Sequence, residues 1–313
     1  MEANIRFEEM FASGRNILME GALGERLKRE YGLAPDASVA LAAMVYSEAG
    51  RHALRELWLG YMDIAAAAKL SFIATTPTRR ANRDRVAASR YGEEILADNL
   101  AFLRSVQQGR AQEVCCGGLM GCRGDAYTGE GALDAEEAHA FHAWQAERLS
   151  RAGADFLYAG IMPTLPEALG MARAMEDTGL PYLISFTVRR DGRLIDGTPI
   201  LRAVETIDEA VNRPPVCYMA NCVHPAIVRR ALLQPCNAGE LLRRRFQGVQ
   251  GNTSPLPLDQ LDGALELKSA PPEEFARDML RLREVCGMRI FGGCCGTDDR
   301  HMRAVAQLLA SHA

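Results

Sequence analysis

Short runs rich in β-forming residues alternate along the chain with longer stretches in which apolar residues recur at helical spacing. In one such stretch Leu54, Leu57, Tyr61 and Ile64 place apolar side chains on one face of a helix. The pattern predicts strands at residues 16–20, 70–75, 113–117, 155–160, 182–188, 216–222, 246–252 and 289–293. It predicts helices at residues 47–69, 84–107, 134–152, 166–178 and 272–286.

Eight strand–helix units predict an α/β fold that is a single (β/α)8 barrel, and 313 residues suit such a barrel in one domain. No linker, low-complexity tract or short repeat divides the chain, so we expect one domain over residues 1–313. A doubly wound sheet is the alternative, because the number of strands does not show that a sheet closes. Closure is favoured because the first strand ends in Glu20-Gly21 and the eighth in Gly293-Cys294, which a barrel would make neighbours.

Composition and charge argue against several kinds of partner. With 48% hydrophobic and 24% charged residues the chain can bury a large core, and its net charge of −4 argues against nucleic acid as a partner. No apolar stretch approaches the roughly 20 residues of a membrane span. The first residues include early acids and no apolar signal core. We therefore expect a cytoplasmic protein without a membrane partner, as a monomer or a homo-oligomer.

The nine cysteines indicate metal ligands or buried thiols rather than a disulfide framework in a reducing compartment. Cys294 and Cys295 lie between glycines at the end of the last predicted strand, and Cys222 ends an earlier one. Three thiolates from two strand ends can hold a zinc ion and leave its fourth position open. The flanking glycines allow a bend that turns both neighbouring sulfurs to one centre. The alternative is three buried, inert thiols, since cysteine is among the most buried residue types.

The segment Gly-Gly-Cys-Cys-Gly-Thr at 292–297, together with Asn221-Cys222, resembles the zinc signature of the homocysteine S-methyltransferase family. Three weaker segments follow in the family's order: Glu-Gly-Ala-Leu-Gly at 20–24, Thr-Pro-Thr-Arg-Arg-Ala-Asn at 76–82 and Gly-Cys-Arg-Gly-Asp-Ala-Tyr at 121–127. The cysteine pair with its partner is the specific part of the resemblance. It implies a (β/α)8 barrel in which Cys222, Cys294 and Cys295 are the zinc ligands.

The resemblance also implies residues that bind the substrate. Glu20 stands where the family carries an aspartate that holds a substrate ammonium group, and Gly21 belongs to the same segment. Asn221, beside the zinc cysteine, either orients the substrate or makes a structural hydrogen bond.

The chain departs from the family's pattern after the fourth strand, and the departure changes the expected substrate. Gly160 stands where a second carboxylate for the amine is expected. Arg79 and Arg80 follow the second strand, where an arginine can clamp a carboxylate bidentately or lie exposed in a loop. We therefore hypothesise that Arg80 binds substrate, and that the substrate is a thiol that carries a carboxylate and is not necessarily homocysteine.

These features predict a zinc-dependent thiol S-methyltransferase, in which Zn²⁺ held by Cys222, Cys294 and Cys295 activates the substrate thiol. By resemblance the acceptor is homocysteine, the product is methionine, and the donor is S-methylmethionine or S-adenosylmethionine, with betaine also open. The partners are then two small molecules, a thiol acceptor and a methyl donor. One alternative is a methyltransferase or demethylase with the same machinery and a different sulfonium or carboxylate-bearing thiol. An alternative of another class is a zinc-binding or redox-sensing protein without turnover.

Three further residues have a structural interpretation. His224 makes a Cys-x-His spacing with Cys222, but Pro225 follows it, so a helix N-terminus is the better interpretation than a metal ligand. Cys115 and Cys116 mimic the C-terminal doublet, and we expect them to be packing residues without a second metal.

Two loops have an expected role near the site. Tyr127 can face a cationic methyl donor through a cation–π contact, and its loop at 122–133 is rich enough in glycine to be a lid. Residues 252–272 read as an irregular insertion that either shapes the donor pocket or covers one end of the barrel.

Overall fold

Eight parallel strands pair in chain order, and the first also pairs with the last, so that the sheet closes into a barrel. The computed structural model describes residues 2–110, 113–255 and 270–312. The closure confirms the predicted (β/α)8 barrel and excludes the doubly wound sheet. The strands are β1 (Ile17–Met19), β2 (Ser71–Thr75), β3 (Val114–Gly121), β4 (Phe156–Met162), β5 (Tyr182–Phe186), β6 (Cys217–Val223), β7 (Phe246–Gly251) and β8 (Ile290–Gly293).

The ends of β1 and β8 meet, as the prediction of closure requires. Ile17 pairs with Ile290 in the parallel register, and the Gly293 N–H donates to the Glu20 carbonyl at 2.9 Å. The C-terminal end of β1 is therefore next to the turn that follows β8. This end of a (β/α)8 barrel is where enzymes of this architecture place their sites.

Helices follow the strands around the outside of the barrel. Short 3₁₀ helices lie at Leu41–Tyr46 and Pro235–Asn237. The α-helices are α1 (Glu2–Ala12), α2 (Gly24–Glu30), α3 (Glu48–Ala67), α4 (Arg83–Ala87), α5 (Ile95–Gln107), α6 (Ala135–Arg151), α7 (Leu165–Glu176), α8 (Ile200–Ala210), α9 (Pro225–Leu232), α10 (Glu240–Arg245), α11 (Pro272–Cys286) and α12 (Asp299–Ser311).

The prediction of one helix over residues 84–107 was wrong, because α4 and α5 are separate. The Ser89 hydroxyl donates to the Val86 carbonyl and accepts from the Tyr91 N–H, which ends α4 in a local turn. Gly92, a poor helix former, follows before α5 begins.

The prediction that the third strand ends at Gly117 was also wrong, since β3 continues through Gly118 to Gly121. Glycine is needed at these positions within the strand, because larger neighbours occupy the space where a side chain would lie. A Cβ on Gly117 would overlap the Phe156 ring, and one on Gly118 would lie 2.8 Å from Leu149 Cδ1.

The barrel interior is filled by apolar side chains, and α1 covers its N-terminal end. Phe7 of α1 stacks on Phe156, the first residue of β4, with ring centroids 4.4 Å apart. This contact leaves the C-terminal ends of the strands as the side where a site can open. The interior cluster comprises Phe7, Met10, Ile17, Met19, Ile73, Cys115, Phe156, Tyr158, Leu183, Cys217, Met219 and Ile290.

The predicted insertion at 252–272 falls mostly on residues 256–269, which lie outside the described residues. One domain over residues 1–313 stays a prediction. Within the described ranges, the helices lack the combination of length and apolarity that crossing a bilayer requires.

We expect Gly117→Ala to destabilise the protein by about 1–3 kcal/mol, because the added methyl group overpacks the barrel interior against Phe156. Gly60→Ala is the matched control. Gly60 lies within α3, and the nearest atom to an added Cβ is Asp299 Oδ1 at 3.5 Å, an ordinary contact. That variant should gain about 0.5–1 kcal/mol from helix propensity. Chemical denaturation measures both, and equal effects of the two variants would contradict this account of the interior.

Candidate functional site

Three cysteine sulfurs meet at the C-terminal end of the barrel. Cys222 lies in β6, and Cys294 and Cys295 follow directly after β8. The Sγ atoms of Cys222 and Cys295 are 3.5 Å apart, those of Cys294 and Cys295 are 3.9 Å apart, and all three lie within 4.8 Å of one another. The structure thus brings together the three residues that the sequence singled out as metal ligands.

The turn after β8 is held by the end of β7 and the residues that follow it. The Cys294 N–H donates to the Gly251 carbonyl at 2.7 Å, and the Thr253 N–H donates to the Cys295 carbonyl at 3.1 Å. Gly296 has a φ of +83°, and a Cβ there would overlap the Thr253 side chain. Glycine is therefore required at this position, and the bend that the flanking glycines were expected to allow is present.

Cys222 reaches the same centre through a strained backbone. Its φ of +59° lies in the left-handed region that side-chain-bearing residues rarely adopt. The pairing of β6 with β7 shifts register between Asn221 and Val223, so Cys222 sits in an irregularity of the ladder. Such conformations persist at functional sites because the surrounding structure enforces them.

The cysteine cluster has the donor types and spacing of a metal centre. Sulfurs bound to a tetrahedral ion with bonds of about 2.3 Å lie roughly 3.8 Å apart, close to the two distances observed here. Cys222 is buried while Cys295 is exposed, so the cluster is accessible from one side. In residues 2–110, 113–255 and 270–312 no second group of three Cys, His, Asp or Glu side chains is spaced for a metal ion. The three residues can therefore hold a metal ion.

The three thiols change one another's pKa values. Hydrogen bonds with Cys294 and Cys295, and one donated by the Tyr127 hydroxyl, lower the pKa of Cys222. The same contacts with Cys222 raise the pKa of Cys294 and of Cys295. A cation that binds all three cysteines as thiolates displaces the thiol protons, so its binding releases protons.

A cavity of about 240 Å³ opens beside the cysteines. It is bounded by the ends of β1, β2, β6, β7 and β8 and by the loops after β2 and β3. Cys294 and Cys295 form part of its wall. Its other lining residues include Glu20, Gly21, Glu25, Thr75, Thr76, Arg79, Arg80, Leu119, Tyr127, Ile161, Asn221 and Gln250.

Glu20 lies at the end of β1 and lines this cavity, as predicted. Its carboxylate accepts a 2.6 Å hydrogen bond from the Thr75 hydroxyl and a longer one from the Thr75 N–H. Only 3% of Glu20 is exposed, and burial raises its pKa to about 7 despite those hydrogen bonds. Glu20 is thus a carboxyl group whose charge changes near neutral pH and that a cationic ligand would stabilise as the anion.

Gly21 and Asn221, also predicted to contact the substrate, lie on the same cavity wall. A Cβ on Gly21 would be 2.7 Å from the Tyr61 hydroxyl, so no side chain fits there. Asn221 Oδ1 accepts from the Tyr158 hydroxyl at 3.1 Å, and that hydroxyl is also 2.9 Å from Gln250 Oε1. The sequence reasoning missed Tyr158 and Gln250, although the strand-end rule that identified Glu20 applies equally to Gln250 on β7.

Tyr127 lies next to the cysteine cluster. Its hydroxyl donates to Cys222 Sγ at 3.4 Å. The loop that carries it is fixed by the Asp125 carboxylate, which accepts from the N–H groups of Tyr127 and Thr128. A lid movement of this loop and a cation–π contact with a donor stay predictions.

Gly160 leaves the cavity without a second acid on β4. A Cβ at this position would lie 2.8 Å from Leu119 Cδ1 and 3.3 Å from Asn221 Oδ1. Position 160 therefore faces Asn221 on the cavity wall, and Leu119 occupies the space beside it.

The residues interpreted as structural lie where the sequence placed them. His224 is the N-cap of α9, and its Nδ1 accepts from the Ala226 N–H at 3.2 Å, which confirms the helix-terminus interpretation. Cys115 and Cys116 are buried within β3 and are not part of the cysteine cluster.

Comparisons with known proteins point to one family. The family model described as Homocysteine S-methyltransferase matches residues 17–309. Homocysteine S-methyltransferase 3 of Arabidopsis thaliana is 23% identical over 184 residues, 54% of this chain and 48% of that protein. Homocysteine S-methyltransferase YbgG of Bacillus subtilis is 26% identical over 192 residues, 58% of this chain and 56% of that protein. The chain thus spans about half the length of these curated relatives.

A solved structure supports the fold independently of these sequence matches. The metallated form of the homocysteine methyltransferase MmuM from Escherichia coli covers 95% of this chain and 98% of its own, with a TM-score of 0.75 and 21% sequence identity.

We expect the purified protein to bind one zinc ion per chain at this cluster. Alanine at Cys222, Cys294 or Cys295 should weaken zinc binding by at least about 100-fold, because loss of an outer-shell partner alone already costs 10- to 100-fold. Cys236→Ala is the matched control, since Cys236 lies outside the cluster. Elemental analysis and competition with a chromogenic chelator measure the affinity. Zinc retained in all three cluster variants would contradict the assignment.

Proposed function

The chain belongs to the homocysteine S-methyltransferase family, and from this premise we propose that it transfers a methyl group from a small onium donor to a thiol. By resemblance the acceptor is homocysteine and the product is methionine. The observation that carries the proposal is the cluster of Cys222, Cys294 and Cys295, of which Cys294 and Cys295 line a cavity that also contains the buried acid Glu20. In this proposal the cysteine cluster lies at the thiol end of the acceptor, and Glu20 binds its ammonium group.

We propose zinc as the ion of the cysteine cluster, because three thiolates suit it and two of the three sulfur pairs lie near the spacing of a tetrahedral site. When bound, zinc would lower the pKa of an incoming thiol and keep its sulfur nucleophilic. The residues themselves set the charge: three cysteine thiolates outweigh one divalent cation, so the site stays net negative. A net negative site favours the approach of a cationic methyl donor.

The reaction is a single displacement at the methyl carbon. The acceptor sulfur forms a bond to that carbon, and the bond from the carbon to the donor's onium atom breaks. The leaving thioether or amine departs neutral with the electron pair, and the thiol proton passes to solvent. The protein's contribution is to align sulfur, methyl group and leaving group, which is mainly a positioning task.

Four residues position the acceptor in this proposal. The Glu20 carboxylate binds the substrate ammonium group, and Gly21 forms the neighbouring part of the cavity wall. Asn221, held by the Tyr158 hydroxyl, contacts the substrate next to Cys222. Arg80 supplies a positive charge on the same cavity.

A second candidate substrate follows from Gly160. Because position 160 carries no acid, only Glu20 on the cavity wall addresses the amine in the manner the family resemblance implies. A carboxylate-bearing thiol other than homocysteine, or a different sulfonium processed by the same residues, is therefore the alternative. The donor we propose is S-methylmethionine or S-adenosylmethionine, with betaine as the third compound to screen.

Methyl transfer should depend on the zinc-loaded cysteine cluster. We expect zinc-loaded protein to produce methionine from homocysteine with at least one of the three donors, detected by mass spectrometry. Removal of zinc with a chelator, or Cys294→Ala, should reduce the rate more than 100-fold, and added zinc should restore only the unmutated protein. A metal-free, active Cys294→Ala protein would contradict the mechanism, and bound zinc without transfer to any thiol would favour a sensor.

Recognition of the amine should depend on pH through Glu20. Because the pKa of Glu20 in the free protein is raised to about 7, the carboxylate is protonated at lower pH and cannot bind an ammonium ion. Affinity for homocysteine, relative to an amine-free thiol of the same length, should fall up to about tenfold per pH unit below pH 7 and level off above it. Glu20→Gln should remove that dependence. Calorimetry with both thiols from pH 5.5 to 8.5 tests it, and a pH-independent ratio in the unmutated protein counts against this role.

A further inference from the structure

Two arginines lie together on the wall of the cavity beside the cysteines. Arg79 and Arg80 follow β2, are half-buried, and both line the cavity beside the cysteines. Neither forms an ion pair with any described residue. Other arginines of the chain form ion pairs, such as Arg104 with Asp155 and Arg245 with Asp208.

The charges that act most strongly on Arg80 are positive. Burial, followed by the charges of Arg85 and Arg79, lowers the pKa of Arg80. One guanidinium nitrogen donates to the Gly124 carbonyl at 3.3 Å. The Asp125 carboxylate acts on Arg80 from beyond ion-pair distance and is engaged by backbone N–H groups of its own loop. A partly desolvated positive charge of this kind is stabilised when an anion binds.

The loop that carries the two arginines is held in place. The Thr78 hydroxyl donates to the Leu119 carbonyl at 2.7 Å, and the Thr78 carbonyl accepts from Gln145 at 2.9 Å. Gly121, the last residue of β3, makes room for Arg79, because a Cβ there would lie 2.5 Å from Arg79 Cγ. Pre-organised charges bind a ligand at a lower entropic cost than free loop charges do.

We propose that Arg79 and Arg80 form an anion subsite that binds the carboxylate of the substrate, and that this carboxylate contributes more to recognition than the amine does. The inference rests on the proposed function, since it assumes that a small substrate enters this cavity. Two guanidinium groups are available for the carboxylate, and planar guanidinium groups match it bidentately. For the amine the cavity offers Glu20, and Gly160 adds no second acid on β4. The other acid of the lining, Glu25, already pairs with Arg29 and accepts from the Gly296 N–H at 2.6 Å.

The subsite narrows the substrate to short thiols that bear a carboxylate, with or without an amine. The carboxylate could belong to the thiol or to an amino-acid sulfonium donor, and both would use the same charges. The chain offers a matched control in Arg85. It belongs to the same cluster of positive charge, does not line the cavity, and donates to the Ser38 carbonyl.

The test is calorimetric titration of the zinc-loaded protein, without donor, with homocysteine, 4-mercaptobutyrate and 3-aminopropane-1-thiol. We expect 4-mercaptobutyrate, which lacks the amine, to bind within about tenfold of homocysteine at pH 7. The aminothiol, which lacks the carboxylate, should bind about 100-fold more weakly. Arg79→Met and Arg80→Met should each weaken both carboxylate thiols by about 10- to 100-fold and leave the aminothiol unchanged, as expected for lost charge-assisted hydrogen bonds. Arg85→Met should bind all three thiols like the unmutated protein.

Zinc content and thermal unfolding of each variant separate loss of binding from loss of fold. Equal affinities of the unmutated protein, Arg79→Met and Arg80→Met for the carboxylate thiols would overturn a subsite for the acceptor. The same variants are then titrated with S-methylmethionine, where weaker binding supports the subsite with the donor as its ligand, and unchanged binding overturns the inference. Strong preference for homocysteine over 4-mercaptobutyrate would overturn the dominance of the carboxylate. Binding of none of the thiols to the unmutated protein would contradict the proposed acceptor pocket, and the S-methylmethionine titration would still decide the subsite.

Discussion

The candidate site depends on one geometrical requirement, that sulfurs from β6 and from the turn after β8 meet within a few ångströms. Those two strands are not neighbours, because β7 lies between them. The end of β7 connects them, because the Gly251 carbonyl accepts a hydrogen bond from the Cys294 N–H and so fixes the turn after β8. Barrel closure then puts Glu20 next to the same turn, through the hydrogen bond from Gly293. A sheet that did not close would separate the acid from the cysteines.

The backbone near the site is strained, and the rest of the fold stabilises the strained conformations. Cys222 and Ile161 both adopt positive φ without being glycine, and each conformation costs about 1–3 kcal/mol. Both lie near the C-terminal ends of strands, where β6 and β4 show shifts in their pairing register. The barrel ladder and the buried interior below hold these residues in place, so the strain is confined to the edge of the cavity where side chains must be redirected.

The charges around the cavity are complementary to those of an amino acid or a mercapto acid. Burial raises the pKa of Glu20 and so favours its neutral form, whereas an ammonium ion bound beside it would favour the carboxylate. Arg79 and Arg80 are half-buried, so part of each side chain stays in contact with solvent. In the proposed function, Glu20 and the two arginines would distinguish the two ends of the substrate, since the other lining acid, Glu25, is already paired with Arg29.

Short runs of β-forming residues between helical patterns predicted the eight strands, and the glycine-framed cysteine doublet with Cys222 was recognisable from the sequence alone, because local composition and spacing encode both. The position of Glu20 at a strand end was predictable for the same reason. Closure of the sheet, the left-handed backbone of Cys222 and the contact of Tyr127 with its sulfur were decided by the tertiary structure. Each of these depends on residues far apart in the chain. The break between α4 and α5 comes from the local turn at Ser89 and from Gly92, which the helical spacing of apolar residues did not reveal. The continuation of β3 through glycines depends on neighbouring side chains that fill the space beside them, and these are not close in sequence. The tertiary structure also decided that Arg79 and Arg80 form no ion pair with the residues it describes, because packing determines which charges face each other.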